Sequence, residues 1–154
     1  MSHATYSDDY TLLPVSSPVA DLPIGERVLV HVTEPIDRVL LRRYADASLD
    51  FNPMHVDDDF AREAGEAAVI AHGMLTLSIV VERALSAFPE RGRAKQIDVR
   101  FGRKLVVDQR LHVWLRIDRW SDESGSRVAH ATVSGEDPDG NPYVNGQMDV
   151  AFGG

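Results

Sequence analysis

A carboxylate and an imidazole lie close together in the middle of the chain, on a segment that has the composition of a turn. Asp50 and His55 flank residues 51–54, and Pro53 stiffens that segment. Two such groups on one rigid loop can share a water molecule and exchange protons with it as base and acid. Alternatively, Asp50 caps the turn and His55 is a surface histidine without a chemical role. These two residues alone leave both interpretations open.

A second candidate lies at the start of a strongly apolar segment, in the sequence Ile70-Ala71-His72-Gly73-Met74. The first backbone N–H groups of a helix have no intrahelical acceptor, and the helix dipole adds partial positive charge there. Because Gly73 has no side chain, a carbonyl oxygen can approach its N–H closely, as an oxyanion site requires. The glycine is equally consistent with a tight turn into the helix. His72 either belongs to the site or only hydrogen-bonds to the loop.

The spacing of apolar residues predicts which elements carry these groups. A short β-branched run over residues 28–32 predicts a strand. Thr33 can then cap a helix that continues with apolar residues at helical spacing and ends near Ala47. A second, short helix is expected to begin with Asp57 or Asp58 as its cap.

The segment 73–88 predicts a different kind of helix, because its first three turns have almost no polar face. Such a helix must be enclosed by other structure. Beyond it the apolar period becomes two, which predicts four strands with good hairpin turns between the last three. These strands are expected over residues 97–101, 111–118, 127–134 and 143–151. The pattern predicts an α+β fold for residues 27–154, in which an antiparallel meander curls around one central helix, preceded by an irregular arm over residues 1–26.

Composition excludes several classes of protein. The 154 residues suit one domain, and the absence of cysteine excludes a disulfide scaffold, a thiolate zinc site, an iron–sulfur cluster and a cysteine nucleophile. A net charge of −8 argues against a nucleic-acid partner. The longest apolar stretch, residues 69–81, is too short to span a membrane, and the N-terminus lacks the basic region of a signal peptide. We therefore expect a cytoplasmic protein with no nucleic-acid or membrane partner.

The segment from Tyr44 to Met74 resembles the MaoC-like hydratase/dehydratase family. The resemblance rests on Tyr44-Ala-Asp-Ala-Ser48-Leu-Asp50-Phe-Asn52-Pro53-Met-His55-Val-Asp57, on Phe60-Ala61 and on Ile70-Ala-His72-Gly73-Met74. That family includes (R)-specific enoyl-CoA hydratases and (3R)-hydroxyacyl-thioester dehydratases. The resemblance implies a hotdog fold, in which an antiparallel sheet wraps a central helix. It also implies a dimer, either of identical subunits or with a related hotdog subunit.

The same resemblance implies roles for individual residues. Asp50 and His55 match the pair that binds the reacting water, and Asn52 matches the asparagine that shapes their loop. Gly73 matches the glycine whose amide polarises the thioester carbonyl, and His72 is a supporting residue beside it. Our expectation is that Asp50 accepts the proton and His55 positions the water, although the sequence does not decide between them. The implied reaction is reversible hydration of a trans-2-enoyl thioester, and it requires no cofactor and no metal.

A basic segment is a candidate contact for the carrier part of such a substrate. Residues 91–104 hold six basic side chains against the single acid Asp98. They are expected to receive the phosphates of coenzyme A or the acidic surface of an acyl carrier protein. The alternative is that they form a solvated strand face. The residues proposed for this contact are Arg91, Arg93, Lys95, Arg103 and Lys104.

The chain departs from the family pattern immediately before Asp50, where Leu49 stands in place of the usual glycine. A branched side chain there restricts the loop and bears on the shape of the acyl pocket. This departure leaves open an accessory hotdog subunit that binds acyl thioesters without catalysis. An acyl-CoA thioesterase is a second alternative, since other hotdog proteins cleave acyl-CoA.

Overall fold

A computed structural model describes residues 23–88 and 90–153 of the chain. Most of the predicted N-terminal arm, residues 1–22, lies outside the described residues. The elements in chain order are β1 (Arg27–Val32), α1 (Arg38–Ser48), α2 (Pro53–Val56), α3 (Asp58–Glu63), α4 (Gly73–Ser86), β2 (Arg93–Phe101), β3 (His112–Glu123), β4 (Ser126–Glu136) and β5 (Pro142–Phe152).

The five strands form one antiparallel sheet in the order β1-β3-β4-β5-β2. All the predicted strands are present, and both predicted hairpin turns join neighbouring strands. The predicted meander is wrong in one respect, because β2 pairs with β5 at the far edge and not with β3, which follows it in sequence. The sheet thus has β1 and β2 as its two edges. Alternation of apolar residues reveals strands, but it does not encode which strand lies beside which.

Helix α4 lies at the centre of the domain and contacts all five strands. Leu75, Thr76, Val80 and Ala84 form its buried face. The helix approaches β4 closely because a Cβ at Gly135 would lie only 2.6 Å from Cγ2 of Val80. This arrangement confirms the predicted α+β fold with a sheet around a central helix.

The enclosure of α4 is less complete than its apolar sequence predicts. The sheet covers one side, whereas Met74 in the first turn is 58% exposed. Leu77, Ile79 and Val81 are only partly buried against the core. Among the described residues, the outward side of α4 therefore retains apolar surface.

Helix α1 begins four residues later than a cap at Thr33 would place it. Thr33 still pairs with the start of β3, since its side chain accepts a hydrogen bond from Leu111 N at 3.0 Å. The N-cap is Asp37, whose Oδ1 accepts from Leu40 N at 2.8 Å. The predicted cap of the short helix is confirmed, because Asp57 caps α3 by accepting hydrogen bonds from two backbone N–H groups.

No helix within the described ranges is both long and apolar enough to cross a lipid bilayer. The cytoplasmic location stays a prediction.

The residue that replaces the family glycine adopts a glycine-like conformation. Leu49 ends α1 with φ 59° and ψ 23°, in the left-handed region, and it is 78% exposed. A side chain with a Cβ is strained in that region by about 1–2 kcal/mol. The loop thus keeps the backbone that glycine would favour, at some cost in stability.

We predict that Leu49→Gly stabilises the protein by about 1 kcal/mol, since relief of the left-handed strain exceeds the larger entropy of glycine in the unfolded chain. Urea unfolding followed by circular dichroism measures this change. Leu49→Ala is the matched control, because it removes the exposed side chain but keeps the Cβ and the strain. Equal stability of the two variants would contradict the prediction.

Candidate active site

Asp50 lies in the turn that connects α1 to α2. Its backbone N–H donates to Oγ of Ser48 at 3.3 Å, and its Oδ1 accepts from the N–H of Asn52 at 3.2 Å. One carboxylate oxygen therefore caps the turn, as the structural interpretation expects. The residue is nevertheless exposed, so the other oxygen is accessible. The structural and the chemical roles of Asp50 are compatible.

His55 is carried by α2, a four-residue helix that sequence reasoning missed. Asn52 caps this helix, since its Oδ1 accepts from Met54 N at 3.0 Å and its carbonyl accepts from His55 N at 2.9 Å. Nδ1 of His55 lies 2.8 Å from the carbonyl oxygen of Ile70. Because a carbonyl oxygen only accepts, Nδ1 carries the proton and Nε2 keeps a free lone pair when the ring is neutral.

His72 is the N-cap residue of α4, and its side chain points back to the loop of Asp50 and His55. Nε2 of His72 donates to the backbone carbonyl of Asp50 at 3.1 Å. The ring also stacks on that of His55, with centroids 3.8 Å apart and planes 25° apart. Only 2% of the residue is exposed, and this burial lowers the pKa of His72.

The structure brings three of the predicted residues together. One carboxylate oxygen of Asp50 and one ring nitrogen each of His55 and His72 all lie within 4.8 Å of one another. A single water can bridge two groups at such a separation with hydrogen bonds of about 2.8 Å each. The donor types would also suit a divalent metal ion, which the chemistry predicted for this pair does not require.

Gly73 is the first residue of α4, so its N–H has no acceptor within the helix. It lies on a cavity of about 390 Å³ that also reaches Asp50 and His72. A Cβ at Gly73 would come within 3.2 Å of the ring of Phe101, so glycine is also the residue that fits this contact. The cavity is lined by Tyr44, Ser48, Asp50, His72, Gly73, Met74 and Phe101.

Phe101 is a lining residue that the sequence alone does not reveal, because β2 lies far along the chain from residues 44–74. Tyr44 and Ser48 belong to the quoted motif without a predicted role. In the structure, Tyr44 lines the cavity and tilts against the ring of His72, with centroids 4.8 Å apart. Ser48 links the end of α1 to Asp50 through its hydroxyl group.

The basic residues of segment 91–104 do not form one cluster. Arg93 and Phe101 are the two ends of β2, and a nine-residue strand spans on the order of 26 Å. Arg103 and Lys104 follow the end that borders the cavity, where they form ion pairs with Asp137 and Glu66. Arg91, Arg93 and Lys95 lie toward the opposite end, and Lys95 pairs there with Glu123. The five residues predicted for the carrier contact therefore lie in two groups, one toward each end of β2.

Comparison with known proteins identifies the family of this chain. The sequence model of the family described as MaoC like domain matches residues 19–136. The fatty acid synthase beta subunit hexB of Dothistroma septosporum is 33% identical over 111 residues, which cover 62% of this chain and 6% of that protein. The peroxisomal multifunctional enzyme type 2 of Drosophila melanogaster is 34% identical over 106 residues, covering 68% of this chain and 16% of that protein. The chain thus spans only a small part of the length of these relatives.

Solved structures share the fold at lower sequence identity. The unliganded R-hydratase PhaJ1 of Pseudomonas aeruginosa aligns with a TM-score of 0.75 and 22% identity, covering 86% of this chain and 83% of that chain. A chain of the ChsH1-ChsH2 complex of Mycobacterium tuberculosis aligns with a TM-score of 0.73 and 16% identity, covering 85% of this chain and 98% of that chain. The predicted hotdog fold is confirmed.

Proposed function

The chain belongs to the family of MaoC like domains, and on that premise we propose that it is a hydro-lyase. Its proposed reaction is the reversible hydration of a trans-2-enoyl thioester to a (3R)-hydroxyacyl thioester, carried on coenzyme A or on acyl carrier protein, in fatty-acid or related acyl metabolism. The main support is the position of Asp50 and His55, whose polar atoms lie within 4.8 Å of each other beside the N-terminus of α4.

Hydration of the conjugated double bond requires a nucleophile and a stabilised negative charge. The water oxygen forms a bond to C3, and the electrons of the double bond move through C2 toward the thioester carbonyl oxygen. We assign the N–H of Gly73 as the donor to that oxygen, and such a hydrogen bond can lower the barrier by about 3 kcal/mol. The enolate then takes a proton at C2, so that one water has been added overall.

The two water-binding residues divide the proton transfer between them. With Nδ1 of His55 donating to the Ile70 carbonyl, Nε2 is left as an acceptor. A neutral imidazole with a free ring nitrogen can take a proton from water as a general base. We therefore assign proton acceptance and return at C2 to His55, with Asp50 orienting the water. This assignment reverses the expectation from the sequence.

We predict that Asp50→Asn and His55→Gln each lower the turnover of crotonyl-CoA hydration by at least about 100-fold, because each removes a group that binds the reacting water. The assay follows the loss of enoyl absorbance, and circular dichroism checks that the variants are folded. Near-normal turnover of either variant would remove that residue from the mechanism.

Two further measurements, of coenzyme A release and of binding, separate the two alternative functions. A thioesterase would release free coenzyme A from a saturated acyl-CoA, which a thiol reagent detects. An accessory subunit would bind the thioester without changing it. Hydration by the isolated protein, without release of coenzyme A, is the result we expect.

The carrier contact is proposed for Arg103 and Lys104, because these two cations follow the end of β2 that borders the cavity. Their side chains are 61% and 59% exposed in spite of their ion pairs. Exposed charges attract phosphates or carboxylates over about 8 Å at physiological ionic strength. Each of the two side chains forms an ion pair, Arg103 with Asp137 and Lys104 with Glu66.

We predict that the double variant Arg103→Gln, Lys104→Gln raises the KM for a coenzyme A substrate about 3-fold or more and leaves kcat nearly unchanged, because only uniform binding is lost. Arg91→Gln, Arg93→Gln is the matched control, since it removes the same charge from the distant end of β2. Equal KM values for the two double variants would show that position relative to the cavity is irrelevant, contrary to the proposal.

The proposed assembly is a dimer, formed with a second copy or with a related hotdog subunit. The edge strand β2 is nine residues long and carries Ile97 and Phe101, which are 39% and 52% exposed. An uncovered edge of this kind is normally paired or protected. A solved structure of similar fold is itself a complex of two subunits, ChsH1 and ChsH2.

We predict that sedimentation of the purified protein gives a mass close to twice its chain mass of 17.0 kDa. If the partner is a related hotdog subunit, the dimer should form only when that subunit is present. Ile97→Lys should weaken that association, because it places a charge on the exposed apolar face of β2. A stable and active monomer at micromolar concentration would contradict the proposal.

A further inference from the structure

We propose that His72 is a positioning residue, which holds Asp50 and His55 at their working separation by a hydrogen bond to one and a ring stack on the other. Its effect on turnover rests on the proposed function. Its structural part can be measured without any substrate.

His72 contacts both members of the pair from a rigid position. Its ring stacks on His55 at 3.8 Å, while its Nε2 donates to the carbonyl of Asp50 at 3.1 Å. The backbone of His72 is itself held at the start of α4, where its carbonyl accepts from Thr76 N at 3.1 Å. Tyr44 tilts against the ring at 4.8 Å. The central helix thereby holds the loop through one side chain.

The loop needs such a support because its own structure is short. Asp50 follows the strained end of α1, and His55 lies on a helix of four residues. A single helical turn has little stability of its own. Small displacements of reacting groups are costly, since a misplacement of about 1 Å can reduce turnover on the order of 100-fold.

The contacts also determine which tautomer and which protonation state of His72 can hold the two residues in place. The Asp50 carbonyl only accepts, so Nε2 of His72 carries the proton. Nδ1 is buried and has no hydrogen-bond partner among the described residues. The groups that face the ring are the His55 imidazole, the Asp50 carboxylate and the phenol of Tyr44. A charged His72 would be buried against an imidazole that takes up a proton during catalysis, so only the neutral ring is suitable.

Two variants separate the hydrogen bond from the stack. His72→Gln keeps an N–H at the position of Nε2 but removes the ring, whereas His72→Phe keeps a ring but removes the donor. We expect each to lower kcat for crotonyl-CoA about 10-fold or more and to change KM less than about 2-fold. His112→Gln is the matched control, because His112 is an equally buried histidine outside the site, and its kcat should stay within about 2-fold.

The kinetic result overturns the proposal if both His72 variants keep kcat within 2-fold of the wild-type protein. It also does so if His112→Gln loses as much activity as they do, since the loss would then reflect general destabilisation. Thermal unfolding followed by circular dichroism identifies a temperature at which all three variants are folded.

A second measurement is independent of turnover. Proton–nitrogen NMR of the histidine rings should find His72 neutral at pH 6, with the proton on Nε2, and its signals are identified by their loss in His72→Phe. The ring signals of His55 should shift in His72→Gln and stay in place in His112→Gln. A proton on Nδ1, titration of His72 near pH 6.5 or unmoved His55 signals would overturn the positioning role. Failure of the wild-type protein to hydrate any enoyl thioester, with these NMR results intact, would instead overturn the proposed function.

Discussion

The site depends on a short extended segment, residues 69–71, which is hydrogen-bonded along both of its edges. On one edge, Ala71 N donates to Leu105 O at 2.8 Å and Val107 N donates to Val69 O at 3.0 Å. On the other, Ile70 donates to Met54 O and accepts from Nδ1 of His55. This segment orients His55 and also determines where α4 begins. His72 and Gly73 follow directly, so both lie beside the loop of Asp50.

The surroundings of the site combine rigid polar contacts with exposed apolar surface. His72 is buried, which lowers its pKa, and it joins the central helix to the turn that carries Asp50. Leu49, Phe51, Met74 and Phe101 are all about half exposed or more. Large exposed apolar side chains grouped near a cavity are typical of surfaces that contact a ligand or another subunit. Both an acyl thioester and a second hotdog subunit would cover such surface, which makes the two proposals physically consistent.

The differences between sequence-based expectation and structure have specific causes. Thr33 has the properties of a helix cap, yet its hydroxyl accepts from Leu111 N, and the chain reaches Asp37 before α1 begins. The placement of β2 beside β5 depends on contacts between segments about 50 residues apart. The basic residues of segment 91–104 are close in sequence, but an extended strand separates them by its full length. The helix cap and the position of β2 were wrong because a local pattern does not determine a non-local arrangement.

Except for the short helix α2, the sequence by itself determined the element types, the turns and the central apolar helix, because period, caps and turn residues act over a few positions. The resemblance of residues 44–74 to a known family indicated Asp50, His55 and Gly73, whose types and spacing alone left their roles open. The tertiary structure decided the strand order, the Phe101 wall of the cavity and the tautomer of His55. It also decided that His72 joins two catalytic candidates. These features depend on hydrogen bonds and ring contacts between residues distant in sequence, which only the packing of α4 against the sheet brings into contact.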